Sequence, residues 1–250
     1  MDEQASKNPK IVMIAGPKGG VGKTTIALNT SILLAKLKKR ILLVDCDYST
    51  TSASILCGKD YHIDYEDIHL GPDFIDDIKR NLANNVDIIP SPIFKPGDED
   101  MIFNYSHRLL TEIRNQKEYD FCLIDTAPGY SRSHIFFAGE SDSILLISTP
   151  EPPAISASYS FLKLISENGL HSNIHLLVNQ ASNHGEGIDV FHRFAVAVSY
   201  FLERSLDHIG SIPEDDMVVT ASKDETPLVL RFPNSMASNA IDDIAYKLAS

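Results

Sequence analysis

The ten residues from Gly16 to Thr25, GPKGGVGKTT, constrain the fold of this chain more than any other segment. They follow the apolar run Ile11 to Ala15 and precede a segment whose apolar side chains recur at helical spacing. The four glycines permit positive φ and keep side chains away, so successive backbone N–H groups can point at one anion. The N-terminus of the following helix adds partial positive charge. This order of strand, loop and helix is typical of a phosphate-binding P-loop, and a glycine-rich turn without a ligand is the weaker alternative.

The side chains of the loop predict the ligands ATP and magnesium. Lys23 is expected to reach the β- and γ-phosphates, Thr24 to place its hydroxyl on Mg²⁺, and Thr25 to bond the α-phosphate. The remaining contacts to the nucleotide are expected from the loop residues Gly19, Gly20, Val21 and Gly22.

Short, nearly continuous apolar runs along the chain predict parallel strands that are covered on both faces. They are Ile11–Ala15, Ile41–Asp45, Val86–Pro90, Phe121–Asp125, Ile144–Ser148, Ile174–Asn179 and Ile209–Pro213. Helical spacing of apolar residues predicts helices from Thr24 to about Lys38 and from about Ser235 to Leu248. Strands that alternate with helices indicate an α/β fold with a doubly wound, mainly parallel sheet.

Length and composition favour one domain over residues 1–250, in which residues 1–9 form a flexible N-terminal tail. The stretch Ser91–Asp100, rich in Pro, Gly and acids, is expected to be a surface loop. The net charge of −12 disfavours nucleic acid as a major partner, because phosphate backbones are gripped by clustered Lys and Arg.

Three cysteines without CxxC spacing, and no signal peptide, indicate a reducing cytosol. No run of about 18 apolar residues occurs, which argues against a conventional membrane span. We therefore expect a cytoplasmic protein.

Asp125 ends the apolar run FCLID and is followed by TAPG. A carboxylate at the end of a strand beside the P-loop strand is where a Walker-B acid holds magnesium through water. Gly129 then provides a turn whose amide could sense the γ-phosphate. The alternative is that Asp125 only caps the end of its strand.

The string KGGVGKTT resembles the deviant Walker-A box of the MinD/ParA superfamily, P-loop NTPases of the SIMIBI type. The resemblance implies that Lys18 crosses to the phosphates of a partner subunit in an ATP-sandwiched homodimer, where it stabilises transition-state charge as an arginine finger does. Without the resemblance, Lys18 would be read as a solvated surface lysine.

The same resemblance implies roles for residues at other strand ends. Asp47, two residues after Asp45, is implied to position the attacking water or act as general base, with Asp45 supporting the magnesium shell. Asn179 is implied to contact adenine, and Pro213, in the stretch Ser211–Asp215 (SIPED), borders the base from the other side. An isolated strand-end Asn would more often be a turn residue.

Later stretches are similar to the MinD-like regulators of flagellar number, called FlhG, FleN or YlxH. The similar stretches are Thr149–Lys163, Leu176–Asn179, Glu186–Phe194, Gly210–Asp216 and Phe232–Leu248. Three features depart from that branch: Ser52 replaces an Asn, and only Asp2, Gln4 and Ala5 match the usual N-terminal helix. The third is that no Lys-rich amphipathic tail follows Leu248, so autonomous membrane binding is not expected.

The leading interpretation is a slow, regulatory ATPase, an ATP-dependent dimerisation switch that controls flagellar or other organelle number or placement. Its expected partner is a protein, such as an FlhF-type GTPase or another flagellar or regulatory component, which could recruit it to the membrane or the cell pole. One alternative is a ParA-like partition ATPase that binds DNA as an ATP dimer, against which the acidic composition argues. An iron–sulfur carrier would need cysteines on a shared subunit face, and the three cysteines are scattered.

Overall fold

A computed structural model describes residues 8–48, 52–68, 71, 74–95 and 97–250. The expected tail up to residue 7, with Asp2, Gln4 and Ala5, lies outside the described residues, as does the side chain of Ser52. The strands are β1 Lys10–Ala15, β2 Ile41–Cys46, β3 Arg80–Ala83, β4 Val86–Ile89, β5 Phe121–Thr126, β6 Ser143–Ser148, β7 Asn173–Ala181 and β8 Asp207–Pro213.

The helices are α1 Lys23–Lys36, α2 Ser52–Ile55, α3 Phe74–Ile78, α4 Glu99–Ile113, α5 Arg132–Glu140, α6 Pro152–Glu167, α7 His184–Leu202, α8 Asp216–Lys223, α9 Leu228–Arg231 and α10 Met236–Ala249, and a short 3₁₀ turn covers Tyr65–Asp67. No helix in these described ranges is both long and apolar enough to cross a membrane.

The strands form one eight-stranded sheet in the order β3-β4-β2-β5-β1-β6-β7-β8. All neighbouring strands pair in parallel except β3, which pairs antiparallel with β4 at one edge. The predicted doubly wound parallel sheet is therefore confirmed. The P-loop strand β1 lies near the middle of the sheet, between β5 and β6, so the loop that follows it starts from an interior strand.

The alternation of side chains explains why the strands read as continuous apolar runs. In β1, Ile11 and Met13 face one core and Val12 and Ile14 face the other, and all four are fully buried. The first core lies under α4 to α7 and the second under α1 and α10.

The C-terminal helix α10 packs on α1 and β8. Its stripe Ile241, Ile244, Ala245 and Leu248 is buried in the second core. The helix therefore faces the core of the protein with this stripe.

Three details of the chain differ from the sequence-based expectations. The first is β3, a short and half-buried strand that lacks an apolar run; it forms a hairpin with β4 through Asn85 at φ 60°. Helix α1 begins one residue earlier than predicted, at Lys23, because Gly22 caps it in the left-handed conformation at φ 94°.

The third difference concerns the predicted surface loop Ser91–Asp100. Ser91 is buried, Ile93 bridges in parallel to Asp64, and Glu99 and Asp100 already belong to α4. Acidic residues favour a loop on composition, but Glu99 and Asp100 occupy the first turn of a helix, where the helix dipole favours negative charge.

Candidate nucleotide-binding site

The candidate site forms where β1, β2 and β5 end at the same edge of the sheet. Because these strands are parallel neighbours, their carboxyl ends bring the P-loop and the acids of β2 and β5 together. Asp45 and Asp125 are directly opposite each other in the β2–β5 register. The two predicted metal-site carboxylates are thus adjacent strand-end residues.

The P-loop conformation depends on two crowded glycines. A Cβ atom on Gly16 would lie 2.7 Å from the Val21 Cγ2 atom, and one on Gly22 would lie 2.5 Å from the Asn179 Nδ2 atom. Gly22 also has a φ of 94°, which side chains rarely tolerate. By contrast, a Cβ on Gly19 would meet no described atom within 4 Å. The loop is therefore closed on its protein side and open on the side where a phosphate would lie.

Lys23 turns back over its own loop. Its Nζ atom donates a hydrogen bond to the Gly16 carbonyl at 2.9 Å, and the residue is buried. Burial lowers the pKa of Lys23, and the charges of Asp125 and Asp47 only partly offset this shift. The ammonium group thus lies inside the loop, close to both carboxylates.

The two strand-end carboxylates differ in their hydrogen bonds. Asp45 accepts from the amides of Asp47 at 3.0 Å and Ala53 at 3.3 Å. Neither carboxylate oxygen of Asp125 accepts a well-formed hydrogen bond from the described residues, although the Thr24 hydroxyl is close enough to lower the pKa of the group. A fully buried carboxylate with so little hydrogen bonding carries a large desolvation cost.

The pKa values of both acids reflect this burial. Burial raises the pKa of Asp125 to about 7, with Thr24 and Lys23 opposing the shift and Asp47 adding to it. Burial, and then the charge of Asp125, raises the pKa of Asp45 well above its usual range, although two backbone amides oppose it. The pair therefore holds less than its full negative charge until a cation arrives.

These residues fit a magnesium ion. Asp125 offers two unpartnered oxygens, and the Thr24 hydroxyl lies beside them. In the described ranges, no group of three or more His, Cys, Asp or Glu side chains forms a metal cage. A shell completed by water and phosphate oxygens is the usual arrangement for Mg²⁺ in nucleotide sites.

A cavity of about 460 Å³ lies over the P-loop. It is lined by Gly19, Gly20, Gly22, Lys23, Thr24, Thr25, Asp47, Ile55, Leu56 and Pro128. Most predicted phosphate-binding residues and Asp47 therefore share one cavity. A larger, mainly apolar cavity of about 980 Å³ adjoins it and shares Ile55 and Pro128.

Gly129 has the left-handed backbone, φ 90°, expected of its turn. Its amide, which we predicted to sense a γ-phosphate, donates to the Pro17 carbonyl in the P-loop at 2.8 Å. The amide is therefore at the phosphate loop, but in this conformation its hydrogen bond is made to protein.

At the other end of the loop, Asn179 is buried and donates from Nδ2 to the Val21 carbonyl at 2.8 Å. Its neighbour Gln180, at φ 57°, donates to the Gly20 carbonyl at 3.3 Å. Pro213 ends β8 opposite Ala181 and is not among the residues that line the phosphate cavity. Asn179 is thus brought to the P-loop, while Pro213 lies farther along the same sheet edge.

Lys18 points away from the loop that carries it. Its Nζ atom forms an ion pair with Glu151, which precedes α6, and both side chains are partly or largely exposed. Glu151 cannot be predicted as a partner of Lys18 from local pattern, because the two residues are 133 positions apart and only the fold brings them together. The two lysines of the P-loop therefore have opposite orientations: Lys23 faces its own site and Lys18 faces outward.

A family described as an AAA domain matches residues 9–178. The antiactivator FleN of Pseudomonas aeruginosa is 28% identical over 100% of this chain and 90% of its own length. The flagellum site-determining protein YlxH of Helicobacter pylori is 25% identical over 97% of this chain and 83% of its own.

Among solved structures, the septum site-determining protein MinD of Pyrococcus horikoshii, complexed with Mg-ADP, superimposes with a TM-score of 0.76. It is 21% identical, and the alignment covers 96% of both chains. At that identity the likeness shows a common fold.

Asp125→Asn tests the cost of the buried carboxylate. The pKa of Asp125, about 7, exceeds the value of 3.8 for an ordinary aspartate. Between these pH values the folded state binds more protons than the unfolded state, so metal-free stability should fall as pH rises. Asp125→Asn should flatten that fall and raise the free energy of unfolding at pH 8 by about 1–3 kcal/mol.

Urea unfolding in EDTA at pH 5 and pH 8 measures this effect. Asp243→Asn, at an exposed position on α10, is the control and should leave the free energy of unfolding unchanged at both pH values. An unchanged difference between the two pH values in Asp125→Asn would contradict the assignment of an uncompensated charge.

Proposed function

This chain belongs to the family described as an AAA domain, in the MinD/ParA superfamily of P-loop ATPases, and we propose that it is an ATP-dependent dimerisation switch. In this proposal residues 1–250 form one ATPase domain. ATP and magnesium close two subunits face to face, and slow hydrolysis to ADP and phosphate reopens them.

The observation that carries the proposal is the divergence of the two P-loop lysines. Lys23 already supplies the cation for phosphates in its own loop, held against the Gly16 carbonyl. Lys18 extends outward from the same loop to an exposed carboxylate on Glu151. A phosphate group bound in the facing loop of a second subunit would give Lys18 a stronger anionic partner than a solvated glutamate.

Within one subunit, the proposed roles follow the geometry. The amides from Gly19 to Gly22 and the Lys23 ammonium bind the phosphates, with Thr24 and Thr25 at the start of α1. Thr24 and Asp125, with Asp45 behind them, would hold magnesium, which neutralises phosphate charge when bound.

The reaction itself would use groups on both sides of the γ-phosphate. Asp47, which lines the phosphate cavity, would orient the attacking water and accept its proton. The Gly129 amide would exchange the Pro17 carbonyl for a γ-phosphate oxygen. Lys18 of the second subunit would stabilise the charge on the transferring phosphoryl group.

The base would lie toward the ends of β7 and β8. Asn179 is already fixed beside the P-loop by its bond to the Val21 carbonyl, and its side-chain oxygen remains available to the adenine amino group. Pro213, at the end of β8, would cover the other side of the base.

We place the switch in the regulation of flagellar or other organelle number or position. The support is the likeness to an antiactivator and a flagellum site-determining protein over almost the whole chain. A protein partner would bind the closed dimer. This partner could be an FlhF-type GTPase or another flagellar component. We propose a cytoplasmic protein that such a partner recruits to the membrane or the pole.

A ParA-like partition ATPase is the second candidate, because that superfamily shares the fold. Binding DNA would need a positive surface, and this chain has 34 acidic against 22 basic residues. The charge favours a protein partner over DNA.

The first test is the mass of the protein with nucleotide. Asp47→Ala should slow hydrolysis, so with Mg-ATP it should elute as a dimer of roughly twice the 27.6 kDa chain mass in size exclusion with light scattering. Adding Lys18→Ala should return it to monomer, because the trans contact is lost. Adding Lys36→Ala instead, exposed at the end of α1, should leave the dimer intact. If the Asp47→Ala variant with Mg-ATP elutes as a monomer, the proposal is wrong.

The ion pair to Glu151 predicts a second effect. Glu151→Gln releases Lys18, so the ATP concentration for half-maximal dimerisation should fall by about two- to fivefold, as expected for loss of an exposed ion pair. Thermal stability should stay nearly unchanged.

Glu167→Gln is the matched control, because Glu167 lies at the other end of α6 and pairs with the exposed Lys163. It should leave dimerisation unaltered. Sedimentation velocity across an ATP titration makes the measurement, and equal behaviour of the two variants would show that Glu151 does not restrain Lys18.

A further inference from the structure

One imidazole spans the loop between β5 and α5. The His134 side chain, 8% exposed, lies in the first turn of α5. Its Nε2 atom is 2.9 Å from the Ala127 carbonyl oxygen, and its Nδ1 atom is 2.7 Å from the Ser131 hydroxyl. The ring therefore contacts the loop at both ends.

These partners fix the protonation pattern of the ring. The Ala127 carbonyl can only accept, so Nε2 carries the hydrogen and donates it. In a neutral imidazole Nδ1 then accepts from the Ser131 hydroxyl. Burial lowers the pKa of His134 and the charge of Lys23 adds to the effect, while the bond to Ala127 and the charge of Asp47 oppose it; the net shift is downward and favours the neutral ring.

The bridged loop is the one that reaches the phosphate site. Gly129 lies midway between Ala127 and Ser131, and its amide donates to the Pro17 carbonyl of the P-loop at 2.8 Å. Asp125 lies just before the loop, and Pro128 lines the phosphate cavity. Two hydrogen bonds from one ring thus restrain a short loop whose centre contacts the P-loop.

We propose that His134 is a positioning residue that holds the loop from Ala127 to Ser131 beside the P-loop, so that the Gly129 amide has only to exchange the Pro17 carbonyl for the γ-phosphate of ATP. The inference rests on the proposed function. ADP lacks the γ-phosphate, so the contribution of the bridge should appear in the affinity for ATP and not in that for ADP. His134 contacts neither phosphate nor metal in this account and acts through the loop.

A purely structural role would have a different signature. A looser first turn of α5 would weaken the whole sheet edge and reduce the affinity for both nucleotides. The ratio of the two affinities therefore separates a positioning role from a packing role.

The experiment is calorimetric titration of the full chain with Mg-ADP and with a magnesium complex of a non-hydrolysable ATP analogue. His134→Ala should lower the affinity for the analogue by about five- to twentyfold, as expected for one or two lost hydrogen bonds. The affinity for ADP should stay within about twofold of the wild type. His134→Gln, whose amide can both donate and accept, should recover analogue affinity to within about threefold of the wild type. His171→Ala, at an exposed histidine, is the control and should change neither.

Ser131→Gly provides a second route if His134→Ala does not fold. This substitution removes the partner of Nδ1 but retains an acceptable N-cap. It should lower the affinity for the analogue by about two- to fivefold and leave the affinity for ADP unchanged. Equal losses for both nucleotides, or an unchanged ratio in the folded variants, would overturn the positioning role. A wild-type chain that binds neither nucleotide would instead refute the proposed function.

Discussion

Two carboxylates that lie side by side at the ends of β2 and β5 set the electrostatic condition on which the rest of the site depends. Asp45 and Asp125 are in register and almost fully buried, and neither Asp125 oxygen accepts a well-formed hydrogen bond from the described residues. Such a pair is costly without positive charge nearby. Lys23 supplies part of it, and the remainder fits a divalent cation carried with nucleotide.

The loops around this pair are each held by a contact that nucleotide could replace or extend. Gly129 donates to Pro17, Asn179 donates to Val21, and Lys18 pairs with Glu151. Phosphate oxygens compete well for such donors because charged acceptors form stronger hydrogen bonds than a carbonyl. In the proposed function, binding of ATP would redirect the Gly129 amide and the Lys18 ammonium, while Asn179 keeps its bond to Val21.

The parts of the site that could be predicted from the sequence are those fixed by local pattern. The glycines of the P-loop, Lys23 and the strand-end acid Asp125 follow from an apolar strand that runs into a motif, whereas the role of Asp45 is implied only by the family resemblance. The same logic gave seven strands but missed β3, whose four residues have no apolar run and are held by pairing with β4.

Long-range partners were beyond local pattern. Glu151 and His134 carry no motif, and their roles appear only when the fold brings α6 to Lys18 and α5 to the loop after Asp125. The chain has nine histidines, and the sequence pattern does not distinguish among them. Only burial and the two distances to Ala127 and Ser131 single out His134.

The central claim is that Lys18 acts on the nucleotide of the other subunit, and subunit mixing tests it most directly. A Lys18→Ala chain retains its own Asp47, while an Asp47→Ala chain can still donate Lys18. Each alone should hydrolyse ATP slowly, and mixing them in equal amounts should restore turnover at one of the two sites of each mixed dimer. A steady-state phosphate-release assay in which the mixture is no faster than the average of the separate chains would contradict the claim and place Lys18 in its own subunit's site.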